Sequence, residues 1–178
     1  DDITKTPHKW LEETGNHLHL KSKEFTIRNL LLFKPGVLLD TLKISESKRL
    51  LRSQKFVRSV NINVVSAGTE SDSIDITVRV LDSWSLIPKG SISTSKMNVA
   101  LEERNFFGLG HEFNNRYQQR FDDNTTAHSV EYVVPNLKNT YINTILIYEE
   151  SLTGDINRGI IIERGFISPL TRWAGGIY

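Results

Sequence analysis

Val99-Ala100-Leu101-Glu102-Glu103-Arg104-Asn105-Phe106-Phe107-Gly108-Leu109-Gly110, followed by His111-Glu112-Phe113-Asn114-Asn115-Arg116-Tyr117-Gln118-Gln119-Arg120-Phe121, is the stretch whose reading decides the fold. A strand pattern runs into a glycine-containing break and then restarts. In the restarted strand Phe113, Tyr117 and Phe121 fall on one face, and Asn114, Arg116, Gln118 and Arg120 on the other. One such alternating strand is ordinary. Here several alternating segments of roughly ten residues follow one another, separated by brief turns, which is the signature of an outer-membrane β-barrel wall.

Working outward, the composition sets loose bounds. The 178 residues suffice for one domain or two small ones, and 38% hydrophobic residues are enough to build a core. Lys plus Arg is 22 against 21 for Asp plus Glu, so the formal charge of +1 gives no general attraction to nucleic acid or to an anionic membrane. There is no cysteine, which excludes disulfide scaffolds and thiolate zinc sites. Asp1 to Lys5 lack the basic and apolar regions of a signal peptide, so the numbering starts in a mature protein or inside a longer one. No apolar run is long enough for a transmembrane helix, and contact with a bilayer would have to be made by a closed barrel.

The chain divides into two unequal parts. Up to about Asp82 it mixes helix and strand signals; from about Lys89 it shows strands and turns only, and Pro88-Lys89-Gly90 marks the junction. In the first part Phe25 to Phe33 reads as a strand, stopped at Lys34-Pro35-Gly36. Leu38, Leu39, Leu42 and Ile44 predict a short helix. Ser45-Glu46-Ser47 then reads as a cap, and Lys48 to Arg52 as a second helix. Val60, Ile62 and Val64 alternate with polar residues, as do Ile74, Ile76, Val78 and Val80 after a turn at Gly68, giving a hairpin. The expected order is strand, helix, helix, strand, strand.

That order, carried by Asn16-His17-Leu18-His19, Phe25-Thr26-Ile27-Arg28, Pro35-Gly36, Glu46 to Arg52, and Val78 to Asp82 with Trp84, resembles the last periplasmic POTRA domain of a BamA-like outer-membrane assembly factor. In that family the first barrel strand comes next, and an Asn-x-x-Gly-x-Gly loop links it to the second. Asn105, Gly108 and Gly110 stand at that spacing. The resemblance implies an α+β POTRA domain (β-α-α-β-β) followed by an all-β antiparallel up-and-down meander, the first strands of a transmembrane β-barrel. The corresponding divisions are a lead-in at 1–24, a POTRA-like periplasmic domain at 25–88, and about six strands of an incomplete barrel at 89–178.

The resemblance further implies a first barrel strand from Ser91 to Glu102, with the Asn105 to Gly110 loop outside the cell. His111 to Phe121 would be the next strand, and Asp122-Asp123-Asn124 a periplasmic turn. Strands at Thr126 to Val134, Thr140 to Glu150 and Ile156 to Phe166 would follow, the second entered through Pro135 to Asn139, with a sixth starting near Trp173. No helix is expected between 91 and 166. Six strands cannot close a barrel, so the chain reads as part of a longer polypeptide.

A protein of this kind is not an enzyme and takes no cofactor or metal; its chemistry is backbone hydrogen bonding. It would help fold and insert β-barrel proteins in the bacterial outer membrane by β-augmentation at sheet edges. The expected partners are unfolded outer-membrane β-barrel clients, the lipid bilayer and periplasmic accessory lipoproteins, and not nucleic acid. Two edges are candidates for client binding. One is the POTRA-like strand Val57 to Val65, with Val57, Ser59, Asn61 and Asn63. The other is the first barrel strand, with Ser91, Ser93, Ser95, Met97 and Val99, whose serine-rich start gives weak register. A two-partner-type secretion pore with a POTRA domain and a soluble β-rich binding protein are the alternatives.

Other motifs have plainer readings. His17 and His19 could ligate a metal only with a third residue, and loop packing is the better reading. Gly108-Leu109-Gly110 lacks the third glycine and the helix of a dinucleotide site. Glu102 and Glu103 are adjacent on a strand and point to opposite faces. Arg164-Gly165-Phe166 is similar to the family's lumen-loop signature but comes too early in the chain, so it reads as strand plus loop. Trp84 is expected to anchor the domain junction, and Phe106, Phe107 and Trp173 to sit in interfacial aromatic girdles or in simple packing.

Overall fold

The computed structural model describes residues 21–68 and 72–178. Asn16 to His19 lie outside the described residues.

The N-terminal unit consists of α1 (Glu24–Arg28), α2 (Thr41–Arg52) and an antiparallel hairpin of β1 (Val57–Ser66) and β2 (Ile74–Asp82). The strand expected at Phe25 to Phe33 is therefore overturned, because its start is helical. Ile27, Leu30 and Leu31 are spaced i, i+3, i+4, a helical stripe that lies under the apolar run, and all three join the core. The two helices expected beyond Leu38 are one. Asp40 caps α2, its Oδ1 accepting from the Leu42 and Lys43 amides at 3.0 and 3.3 Å. Ser47, expected in a cap, is completely buried mid-helix. Its hydroxyl donates to the Lys43 carbonyl at 2.6 Å and accepts from the Leu32 amide at 2.9 Å, tying the preceding loop to the helix. Thus the described order is α-α-β-β with a two-stranded sheet, not a three-stranded one.

Leu30, Leu51 and Val60 form the centre of the core, flanked by Ile27, Leu31, Val57, Ile62, Val78 and Val80. Phe56, immediately before β1, is 2% exposed. No helix among the described residues is long and apolar enough to cross a membrane.

The rest is a seven-stranded antiparallel meander in chain order: β3 (Leu86–Ile92), β4 (Lys96–Phe106), β5 (His111–Arg120), β6 (Thr126–Val134), β7 (Asn143–Glu150), β8 (Ile156–Arg164) and β9 (Gly175–Ile177). The sheet is open, with β3 and β9 at its edges. The strands after Gly110 fall close to where their alternation places them. A single three-residue 3₁₀ turn, Leu137–Asn139, forms the tip of the β6–β7 connection inside the expected Pro135 to Asn139 turn.

The start of the sheet differs from expectation. Ser91 to Glu102 is not one strand but most of a hairpin: Ser91 pairs with Asn98, Ile92 ends β3 opposite Met97, and Ser93 to Ser95 make the turn. The Ser93 hydroxyl accepts from the Lys96 amide at 3.1 Å and closes that turn, so the serines specify a reversal rather than a loose strand. Pro88, Lys89 and Gly90 lie inside β3 rather than at a junction, and the link from β2 is residues 83–85.

Candidate functional site

The strand directions give the sheet two ends. The 93–95, 121–125 and 151–155 turns lie at a far end; the far turns 93–95 and 121–125 meet where the Phe121 amide donates to the Ser95 carbonyl at 2.9 Å. At the near end, the 83–85 link, the Asn105 to Gly110 turn, the 135–142 connection and the 165–174 connection all face the N-terminal unit. The expected sidedness is thereby reversed: the Asn105 to Gly110 turn is on the same end as the N-terminal unit, and the Asp122-Asp123-Asn124 turn is on the opposite one.

Asn105, Gly108 and Gly110 work as one device at this near end. Asn105 is 1% exposed; its Oδ1 accepts from the Gly110 amide at 2.8 Å and its Nδ2 donates to the Ser22 hydroxyl at 3.1 Å. Ser22 in turn donates to Asp82 at the end of β2 through both its amide (2.7 Å) and hydroxyl (3.0 Å). The Gly108 carbonyl accepts from the Lys23 amide and from the Thr26 hydroxyl, each at 2.9 Å. A Cβ on Gly108 would stand 2.4 Å from the Lys21 carbonyl oxygen, at a φ of +74° that also favours glycine. One on Gly110 would press on Thr26 and Phe56 at 3.0 and 3.1 Å. The family-like spacing therefore encodes a turn that fits against a neighbouring chain segment.

The other near-end connections grip the same unit. Asn136 Nδ2 donates to the Asn29 carbonyl at 3.0 Å while its Oδ1 accepts from the Tyr141 amide at 2.8 Å. Tyr141 packs on the N-terminal core, and burial pushes its hydroxyl up from the usual phenol range. The Arg49 guanidinium of α2 donates to the Ile167 carbonyl. Between unit and sheet lies a cavity of about 410 Å³, lined among others by Phe25, Asn29, Phe56, His111, Tyr132 and Pro135.

Register assigns every strand residue to one of two faces. On the first lie Met97, Val99 and Leu101 of β4, Phe113 and Tyr117 of β5, Val130 and Tyr132 of β6, Leu146 of β7, and Ile160 and Ile162 of β8. On the second, polar rungs cross the strands, with Ile145, Ile147 and Ile161 half-buried beside them on β7 and β8. Lys89 meets Glu102 at 2.6 Å, Arg104 meets Glu102 at 2.9 Å, Asn114 donates to Glu131 at 2.9 Å, and Asn143 donates to Glu163 at 3.0 Å. Phe113 and Tyr117 thus stand opposite Asn114, Arg116, Gln118 and Arg120, as their alternation requires. The apolar face is open: Val99, Leu101, Leu146, Ile160 and Ile162 are each more than 40% exposed. Among the described residues no side chain of the sheet joins the buried apolar core. Phe106 belongs to the apolar face, stacked on Phe113 at 5.4 Å between ring centroids.

The remaining expected site residues divide between edges and interior. Ser59, Asn61 and Asn63 lie exposed on β1, opposite Leu81, Arg79 and Thr77, and Val57 starts that strand. Met97 and Val99, expected on an edge, are on β4, which is paired on both sides. The outer edge belongs to β3. The Arg104 amide donates to the Ser85 carbonyl at 2.9 Å and the Ser93 amide to the Lys96 carbonyl at 2.8 Å, so odd-numbered residues of β3 bond inward. Leu86, Pro88, Gly90 and Ile92 therefore turn their backbone groups to the open edge, and Pro88 supplies no donor there. A proline inside a strand pattern is the signal that could have marked β3 as the edge in advance. Trp84 does sit at the junction, but it is 45% exposed; its indole N–H donates to the Leu86 carbonyl, and Ser85 is the buried residue of the link. Arg164 stacks its guanidinium on Trp173, 4.0 Å from the ring centroid.

No family model matches the sequence, and no curated protein matches it. Among solved structures, the chain is similar to the crystal structure of BamA from Haemophilus ducreyi lacking POTRA domains 1–3, with a TM-score of 0.58 and 17% identity. The match covers 80% of this chain and 29% of that one. The antiparallel meander with few helices has the fold of a stretch of BamA, and this chain spans less than a third of that polypeptide's length.

Proposed function

We propose that this chain is part of an outer-membrane assembly factor of the BamA type, with β3 to β9 in the wall of a transmembrane barrel and the N-terminal unit in the periplasm. The observation that carries this reading is the two-faced sheet. Its apolar face is exposed across the strands while its polar face is cross-linked by ion pairs and amide–carboxylate bonds, an arrangement that suits lipid outside and a wet lumen inside. The shared fold with a stretch of BamA supports it. With the N-terminal unit in the periplasm, the Asn105 to Gly110 turn is periplasmic and the 121–125 turn lies outside the cell.

The proposed activity is templating by backbone bonds, in which an unfolded client strand adds to an open edge and needs no catalytic residue. At β3 the outward donors are Leu86, Gly90 and Ile92, interrupted by Pro88, so a client bonds there with an incomplete ladder and can leave again. The exposed Ser59, Asn61 and Asn63 strand offers a second edge. Accessory lipoproteins would meet the N-terminal unit.

The test compares two prolines in the full-length protein. Gly90→Pro removes an outward donor where an added Cβ meets nothing closer than 3.7 Å, so the barrel should fold while client assembly in proteoliposomes slows. Val99→Pro disrupts β4 between its two partners and should abolish folding itself. Normal client assembly by Gly90→Pro would remove β3 as the template.

A further inference from the structure

Residues linked through the pairing register form rows across the sheet, and the polar borders of the apolar face do not follow those rows. Val99, Tyr117, His128, Glu150 and Ile156 make one row from β4 to β8. Leu101, Asn115, Val130, Tyr148 and Arg158 make the next, and Glu103, Phe113, Tyr132, Leu146 and Ile160 the one after. On the far side the border is Gln119 on β5, one row beyond the first of these; then His128 on β6 and Glu150 on β7, both in the first; then Arg158 on β8, in the second. It climbs two rows over three strand spacings. The near border climbs the same way, from Glu103 on β4 to Arg164 on β8, again by two rows.

Two rows are four residues, or about 13 Å along a strand, and three spacings are about 14 Å across, so the far border runs at about 40° to the hydrogen-bond direction. Strands in membrane barrels tilt by about 35–45° from the axis, and a flat slab of hydrocarbon cuts such a sheet along that slant. Asn115 is the polar residue inside the band, and it is tied to His128 at 3.1 Å between Nδ2 and Nε2. Ile156 is the apolar residue left outside it.

We propose that the partner of this face is a lipid bilayer whose midplane crosses the sheet on that slant, near Val99 on β4, Leu146 on β7 and Ile160 on β8. His128, Glu150 and Arg158 then lie at the far headgroup border, and Ile156 lies in the headgroups or beyond. The assignment rests on the barrel-wall reading and adds what that reading leaves open, the depth of each residue.

Nitroxide labels on single cysteines at Val99, Ile156 and Ile160 decide it, in the full-length protein with any cysteine outside these 178 residues replaced, in phosphatidylethanolamine–phosphatidylglycerol vesicles. A water-soluble nickel chelate is present on both sides. The three side chains are 49%, 55% and 59% exposed, so differences between them report the surroundings. The expected result is loss of nickel collisions at Val99 and Ile160, with collisions retained at Ile156. Equal behaviour of Val99 and Ile156, with Ile160 different, overturns the slant while leaving the wall reading standing. Shielding of all three overturns the slant too, and free collision at all three removes the wall reading along with it.

Discussion

The two halves of this molecule treat their apolar residues in opposite ways. The N-terminal unit hides them: Leu30, Leu50, Leu51, Phe56 and Val60 are the buried apolar side chains among the described residues, and all belong to it. The sheet and its connections bury Ser85, Glu103, Asn105 and Ser168 instead, and leave Val99, Leu146, Ile160 and Ile162 uncovered. A unit of the first kind carries its own driving force for folding in water. A sheet of the second kind has strand pairing and polar rungs but no apolar core, so its stability depends on what surrounds it.

The sharpest way to break this contrast is a pair of substitutions. Leu51→Ala empties a fully buried position and should destabilise the N-terminal unit by about 2–5 kcal/mol, measured by denaturant unfolding, whether or not membrane is present. Ile160→Arg should cost about 2–4 kcal/mol only when the full-length protein is in a bilayer. In a water-soluble sheet the same change at so exposed a residue stays within about 0.5 kcal/mol. A small effect in both settings would return the sheet to the soluble class.

A middle-sized effect tests how the halves are joined. Asn105→Ala strips the Gly110 amide of its acceptor and leaves the Ser22 hydroxyl with Asp82 alone, and Gly108→Ala forces a Cβ into the Lys21 carbonyl. Each should cost about 1–3 kcal/mol. Because the damage falls between the halves, hydrogen exchange should quicken at residues 21–26 and 105–110 while the Leu51 core stays protected. Uniform loss of protection would show that the turn belongs to one cooperative core.

The smallest effect is electrostatic, and each half supplies one case. The Arg49 guanidinium holds the Glu46 carboxyl below its ordinary value in α2, and Arg120 with Thr125 holds Asp123 well below the carboxylate range in a far-end turn. Both are depressed in the folded protein. Their contributions are therefore complete above the unfolded carboxylate values of about 4 and fade as pH falls toward the folded ones. Titration by NMR should find both carboxyls ionising below the unfolded values, with the 121–125 turn loosening only in acid. Ordinary titration of Asp123 would mean that the turn is held by its backbone alone.

Legibility followed the same division, with the halves exchanged. From His111 onward the strands could be read almost residue by residue, because a meander repeats one local rule: side chains alternate, turns interrupt, and each strand pairs with the last. The N-terminal unit was harder. Phe25 to Phe33 is apolar enough for a strand, and its helical start was decided by Ile27, Leu30 and Leu31 meeting Leu51 and Val60 across the core. Ser47 looks like a cap in isolation; only the Leu32 amide above it makes it a buried helix residue. Of the candidate site, Asn105, Gly108 and Gly110 were visible as a turn, but their partners Ser22 and Thr26 lie 83 and 82 residues back in the chain, and neither these nor Asp82, which accepts from Ser22, carry a mark of the contact.

The sequence by itself determined the alternation of the sheet, its turns and the separation of polar from apolar residues, because these depend on neighbours two or three positions apart. Tertiary structure alone decided which strand is the edge, which end faces the N-terminal unit, and how the apolar band slants across the rows. Those properties are set by pairing register and by long-range contacts, and a one-strand shift such as that of β3 leaves every local pattern intact while moving the edge and reversing the two ends.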